Sequence, residues 1–139
     1  MEENLRLIDE YIEAYNAHDW ERLMELFSEY VVWYYPGSKE PIRGRDAMLE
    51  QGESVVARYP DIREEKKRAF GQGDWVCIEY TIAGTNKGLL IRPDGKTIPP
   101  TNKRIRIPFC SVYKFKDGKI TECYTYYDRL EWREQLGIA

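Results

Sequence analysis

Leu5, Ile8, Ile12 and Tyr15 recur at three- and four-residue spacing, which predicts an amphipathic helix from Glu2 to about Ala17. Asp19 then reads as the cap of a shorter helix whose apolar residues are Trp20, Leu23, Met24 and Phe27. Val31–Tyr35 is rich in β-branched and aromatic residues and stops at Pro36-Gly37, a strand ended by a turn. A third helix is expected from Arg45 to about Tyr59, closed by Pro60.

Beyond Pro60 the period changes from helix to strand. Ile62–Phe70 reads as a charged strand that turns at Gly71–Asp74 into Trp75–Thr85. A polar loop containing Pro93-Asp94-Gly95 and Pro99-Pro100 leads to Arg104–Lys116, and Asp117-Gly118 is a two-residue hairpin signal into a strand ending at Asp128. The last helix is expected over Leu130–Gly137. Helices first and antiparallel strands afterwards define an α+β fold, with the helices on one side of a curved sheet.

Alternation assigns the faces. Ile105, Ile107, Phe109, Ser111, Tyr113 and Phe115 share one nearly continuous apolar face, with Arg104, Arg106 and Lys114 on the other. In the final strand Cys123, Thr125 and Tyr127 share one face, and Tyr124, Tyr126 and Asp128 the opposite one. An interior lined by the first set is aromatic and polar but takes no carboxylate from this strand.

A chain of 139 residues is read as one domain, residues 1–139, able to bury a real core. Its net charge of −3, with Lys and Arg scattered, gives no basic footprint for nucleic acid. Apolar runs stay short of a membrane span, and an acidic amphipathic helix stands at the N-terminus where a signal peptide would be, so the expectation is a cytoplasmic protein without membrane contact. The three cysteines and the lone His18 lack zinc-ligand or disulfide spacing, so neither a metal site nor a cofactor is expected. Aromatic residues make up 14% of the chain, Tyr foremost, a side chain that joins an apolar body to a polar tip.

Met48, Gly52, Val55 or Val56, and Tyr59 form the inward stripe of the third helix. Glycine inside a helix costs about 1 kcal/mol relative to alanine. Gly52 and its small neighbours therefore indicate either close approach of helix and sheet or space for a ligand.

With its elements in this order the chain resembles the SnoaL-like polyketide cyclase (ester cyclase) family of the nuclear transport factor 2-like superfamily. The resemblance runs through residues 27–33, Phe-Ser-Glu-Tyr-Val-Val-Trp, and 42–47, Ile-Arg-Gly-Arg-Asp-Ala. It continues through 84–88, Gly-Thr-Asn-Lys-Gly, then 98–104, Ile-Pro-Pro-Thr-Asn-Lys-Arg, and 117–122, Asp-Gly-Lys-Ile-Thr-Glu. The segment 126–137, opening Tyr-Tyr-Asp and closing Gln-Leu-Gly, completes it. The resemblance implies a cone-shaped curved antiparallel β-sheet wrapping three helices around a deep hydrophobic pocket, often in a dimer. It also places the pocket carboxylate of ring-closing relatives at Thr125 and a common pocket histidine at Cys123, while Tyr34, Tyr35 and Asn86 stand where polar or ionisable residues are frequent. The family's titratable groups are thus largely replaced, and a fold does not carry a function when its site has changed.

Among candidate groups, Asp128 is the one family-matched carboxylate left, and Asp128 with Glu131 has the spacing of a capping box. Glu79 alternates outward, and His18 lies at a helix junction where an imidazole stabilises a helix C-terminus. Cys123 points inward without a base to activate it. Two functions follow. In the first, a diverged or engineered pocket binds a small apolar, ring-containing molecule, with Trp33, Tyr35, Gly52, Val55, Phe109 and Tyr127 as walls and Ser111, Thr125 and tyrosine hydroxyls as polar points beside Cys123. In the second, a cofactor-independent cyclase or isomerase performs aldol or enolisation chemistry with Asp128, or a carboxylate the sequence does not place, as base. A carboxylate inside the cavity separates them. Tyr124 and Tyr126 on the outer face are expected to form a homodimer surface.

Overall fold

The computed structural model describes residues 2–92 and 94–139. Pro93 of the expected loop motif and Met1 of the expected domain lie outside the described residues. Helices α1 (Glu2–Asn16), α2 (Trp20–Glu25) and α3 (Arg45–Arg58) precede most of the sheet, and α4 (Arg129–Leu136) follows it. The strands are β1 (Phe27–Tyr34), β2 (Ile42–Arg43), β3 (Arg63–Gln72), β4 (Trp75–Thr85), β5 (Leu90–Ile91), β6 (Thr97–Ile98), β7 (Arg104–Lys116) and β8 (Lys119–Tyr127). Six of them form one sheet in the order β2-β1-β8-β7-β4-β3, antiparallel at every junction except β1 with β8, which is parallel. The architecture is the expected α+β curved sheet packed on helices.

The alternation assigned from sequence holds on β7 and β8. Ile105, Ile107, Ser111, Tyr113 and Phe115 are buried, as are Cys123 and Thr125, while Arg104 and Arg106 are exposed. The core joins this face to Leu7, Ile8, Tyr11 and Ala14 of α1. Burial of that apolar surface is the main stabilising term.

Several elements differ from expectation, among them the unexpected short strand β2 and β3, which runs to Gln72. Phe27 was expected in the second helix but opens β1, because the Leu26 N–H closes α2 on the carbonyls of Leu23 and Met24 and Phe27 then pairs with Ile120. The polar loop contains a small ribbon, with Leu90 paired to Ile98 and Ile91 to Thr97. The last helix is shifted back by one residue, since Asp128 caps it and Gly137 ends it with φ 75, a left-handed conformation suited to glycine. Among the described residues, no helix is long and apolar enough to cross a membrane.

Candidate active site

The cone encloses a cavity of about 150 Å³ between the sheet and α1, α2 and α3. Its walls are mostly aromatic and aliphatic, including Tyr11, Trp20, Phe27, Trp33, Phe109 and Trp132. Of the residues expected to line a pocket, Trp33, Tyr35, Gly52, Val55, Phe109, Thr125 and Tyr127 do so. Ser111 and Cys123 are fully buried and stand one layer behind the wall. Phe109 and Tyr127 stack at 4.3 Å between ring centroids, and Trp132 packs edge-on against Phe109 at 5.9 Å, so one wall is a fixed aromatic surface.

A chain of hydrogen bonds runs behind that wall. Trp33 Nε1 donates to Thr125 Oγ1 at 2.9 Å, Thr125 Oγ1 lies 2.8 Å from Ser111 Oγ, and Ser111 Oγ lies 2.7 Å from the Tyr80 hydroxyl. Cys123 Sγ touches Thr125 Oγ1 at 3.6 Å, and burial holds the thiol well above its usual pKa. A neutral buried thiol is a poor nucleophile, so Cys123 serves packing.

Gly52 answers to both of its expected roles, with one correction. A Cβ there would lie 3.1 Å from Trp20 Cζ3 and 3.2 Å from Trp20 Cη2. The close approach is therefore that of α3 to α2, not of helix to sheet. The same glycine also borders the cavity.

The carboxylate of the cavity is Glu64, on β3. In the sequence it is one charge within a wholly charged run, Arg63–Arg68. Glu64 pairs with Ile82 and is only 5% exposed. The reason lies in a bulge. Ahead of it Glu64 and Lys66 oppose Ile82 and Tyr80, whereas beyond it Ala69 opposes Ile78, so the inward parity changes between Lys66 and Arg68. The available signal was Ile62, whose burial at 1% exposure carries position 64 to the same face.

Glu64 has no compensating charge. Burial alone pushes its carboxyl from 4.5 up to about 8. Its Oε1 is buried and, among the described residues, is the only such side-chain oxygen or nitrogen without a hydrogen-bond partner. Tyr11, Tyr15 and Tyr80 line the same cavity, and burial followed by the proximity of Glu64 raises all three phenols, keeping them protonated.

The other titratable candidates lie elsewhere. Asp128 is exposed, does not line the cavity, and spends Oδ1 on the N–H groups of Leu130 at 2.9 Å and Glu131 at 3.1 Å. Its geometry is that of the helix cap that the Asp128 and Glu131 spacing predicts. Glu79 faces outward beside Arg68 at 3.6 Å. His18 turns the α1–α2 corner with φ 54, its Nε2 3.0 Å from the Ile62 carbonyl. Asn86 is fully buried and its amide ties the loop ends together, accepting from the Thr101 N–H at 2.8 Å.

The fold is an α+β cone around a mainly aromatic cavity that holds the desolvated carboxyl of Glu64. The SnoaL-like domain family matches residues 8–123, and the chain belongs to that family. Among solved structures, IdmH of Streptomyces antibioticus, a proposed polyketide cyclase, is 27% identical, with 96% of this chain and 98% of IdmH covered at a TM-score of 0.80. AclR of Streptomyces galilaeus, a proposed hydroxylase, is 23% identical, with 100% and 98% covered at a TM-score of 0.83. A proposed SnoaL-like polyketide cyclase from Jannaschia sp. CCS1 is 14% identical, with 99% and 93% covered at a TM-score of 0.85. No curated protein sequence matches.

Proposed function

We propose that the protein is an acid/base enzyme acting on an apolar, ring-containing carbonyl compound, with Glu64 as the proton-transfer group. The observation that carries this is the unpartnered, buried Oε1 of Glu64 in a cavity whose hydrogen-bonding groups are otherwise tyrosines, one threonine, one glutamine and indoles. An orphaned buried oxygen costs about 1–3 kcal/mol, and a ligand with an acidic C–H or a carbonyl offsets that cost. A carboxyl near 8 is also well matched to proton transfer at neutral pH.

The step needs no cofactor. A Glu64 carboxylate oxygen takes the proton from carbon adjacent to the ligand carbonyl, and the C–H electron pair moves into the enolate, leaving its charge on oxygen. Phenols of Tyr11, Tyr15 or Tyr80 stabilise that oxygen as donors. The enolate carbon then either regains the proton from Glu64 or attacks a second carbonyl of the same ligand. In the second case the new alkoxide receives the Glu64 proton and a ring closes. IdmH, at 27% identity, supports the ring-closing branch by its proposed role.

The test is deuterium exchange into 2-tetralone, an apolar bicyclic ketone, followed by NMR. The expected result is acceleration by wild type that Glu64→Gln reduces by about 10²–10⁴-fold while the far-UV circular dichroism is unchanged. Saturable binding of the ketone without accelerated exchange would instead establish the simple binding function. Equal exchange by wild type and Glu64→Gln removes Glu64 as the base.

The outer sheet face remains our proposed homodimer surface. Tyr34 and Tyr124 stack there at 4.8 Å, and Tyr126 is 58% exposed. A monomer in sedimentation equilibrium at tens of micromolar would exclude it.

A further inference from the structure

A second, larger cavity of about 520 Å³ adjoins the first and shares Tyr35, Gln51, Val55, Tyr127 and Trp132 with it. We call the larger space the outer chamber and those residues, which border both cavities, the neck. Its composition is unlike that of the inner cavity. Arg58, Arg92, Arg129 and Arg133 all line it, and among the described residues no Asp or Glu does. In a chain of net charge −3 that is a local reversal of sign. Arg92 is engaged by Asp94 at 3.7 Å, whereas Arg58, Arg129 and Arg133 form no ion pair among the described residues.

These arginines come from three elements that converge on the neck. Arg58 ends α3, Arg129 and Arg133 lie one turn apart on α4, and Arg92 follows β5. Arg129 is seated by Gly37, where an added Cβ would collide with its guanidinium. Burial raises the pKa of the Tyr127 phenol, and the charges of Arg129 and then Arg58 act against that rise. Cationic groups therefore stand beside residues that border both cavities. A guanidinium offers a planar fork of donors matched to carboxylate and phosphate oxygens.

We infer that the outer chamber holds an anionic group, a carboxylate or phosphate, of the same ligand whose rings enter the inner cavity. This rests on the inner cavity's being a ring-binding site and specifies the substrate class: an apolar ring system carrying an anionic substituent a few bonds from the carbon that reacts. The arginines bind and orient that end of the ligand, at the opposite side of the neck from Glu64. Placing the anion there keeps it in a hydrated chamber with matched cations, whereas inside the inner cavity it would face desolvation beside another carboxyl.

The test is calorimetric titration of wild type with naphthalene-2-acetate, 2-naphthyl phosphate and the neutral naphthalene-2-acetamide. At least one anion is expected to bind about tenfold or more tightly than the amide, the gain of a charge-assisted contact, and the tighter anion identifies the source. Arg58→Gln/Arg133→Gln should lose that preference while keeping the amide affinity and the thermal midpoint within a few degrees. Glu64→Gln should retain the preference. Equal binding of all three probes by wild type overturns the anion chamber and leaves the ring-binding cavity standing. Binding of none overturns both. A preference that survives the double arginine substitution overturns the assignment to these residues.

Discussion

Asn16 pairs with the backbone of Glu64 as a neighbouring strand would. Its Nδ2 donates to the Glu64 carbonyl at 2.8 Å, and its Oδ1 accepts from the Glu64 N–H at 2.7 Å. Asn16 is the last residue of α1, so one amide side chain ties the end of that helix to the start of β3. Nothing comparable holds the carboxyl itself. The backbone is fixed, while the carboxyl Oε1 keeps no partner and faces the cavity.

Replacing Asn16 by Ala should therefore weaken both the fold and the site. Two buried backbone groups lose their partner, at a cost of about 1–3 kcal/mol, read as a lower urea midpoint. Water admitted at the loosened strand should also lower the pH at which Glu64 titrates, followed by carbon-13 NMR of its carboxyl. A stability loss with an unmoved titration would show that Asn16 braces the corner alone.

The raised Glu64 carboxyl also sets a pH dependence of stability. Between about 4.5, the unfolded value, and about 8, the folded protein keeps a proton that the unfolded chain has lost. The native state binds more protons in this window, so stability falls as pH rises through it. At 1.36 kcal/mol per unit the full decline is on the order of 3–5 kcal/mol. Asp61 and Glu65 are lowered instead, Asp61 by the Thr85 N–H and hydroxyl against its slight burial and Glu65 by Arg106, and their contributions are lost only as pH falls below the window. Urea midpoints should decline from pH 5 to 8 in wild type and stay level in Glu64→Gln, which should be the more stable protein at pH 8. A level wild-type curve would mean that Glu64 is not desolvated in solution.

Strand alternation made much of this legible in advance. Phe109, Ser111, Cys123, Thr125 and Tyr127 face inward as period two requires. Glu64 was not legible because Arg63–Arg68 is charged at every position, and a charged run gives no periodic signal to show which member turns inward. The bulge between Lys66 and Arg68 hid it further, since counting by twos backward from Ala69 puts Glu64 outside. The role of Gly52 was half visible: sequence shows a missing side chain but not that Trp20 from another helix fills the space.

Gly52→Ala tests that packing. Helix propensity favours alanine by about 1 kcal/mol, yet the new methyl would press on the Trp20 ring at 3.1–3.2 Å. Trp20 in turn stacks on His18 at 5.9 Å and meets Tyr15 edge-on, so it has little room to retreat. The expected result is a stability equal to or below wild type, with a shifted tryptophan emission maximum. A full 1 kcal/mol gain would mean that Trp20 moves freely.

Thr125 lines the cavity, and its hydroxyl is already committed. It accepts from Trp33 Nε1 and meets Ser111 Oγ, which meets the Tyr80 hydroxyl. Thr125→Val keeps the shape but strands an indole N–H and breaks the link from Ser111, at about 1–3 kcal/mol. Tyr80 lines the cavity with Glu64, so a freed Ser111 hydroxyl alters how that phenol is oriented toward a ligand carbonyl. The variant should melt lower and exchange deuterium into 2-tetralone more slowly, with the Glu64-dependent pH profile preserved. Thr125→Ser retains the hydroxyl and should recover the exchange rate even though it deletes a methyl from the wall. If Thr125→Ser is as slow as Thr125→Val, the methyl packing and not the hydrogen-bond chain governs the site.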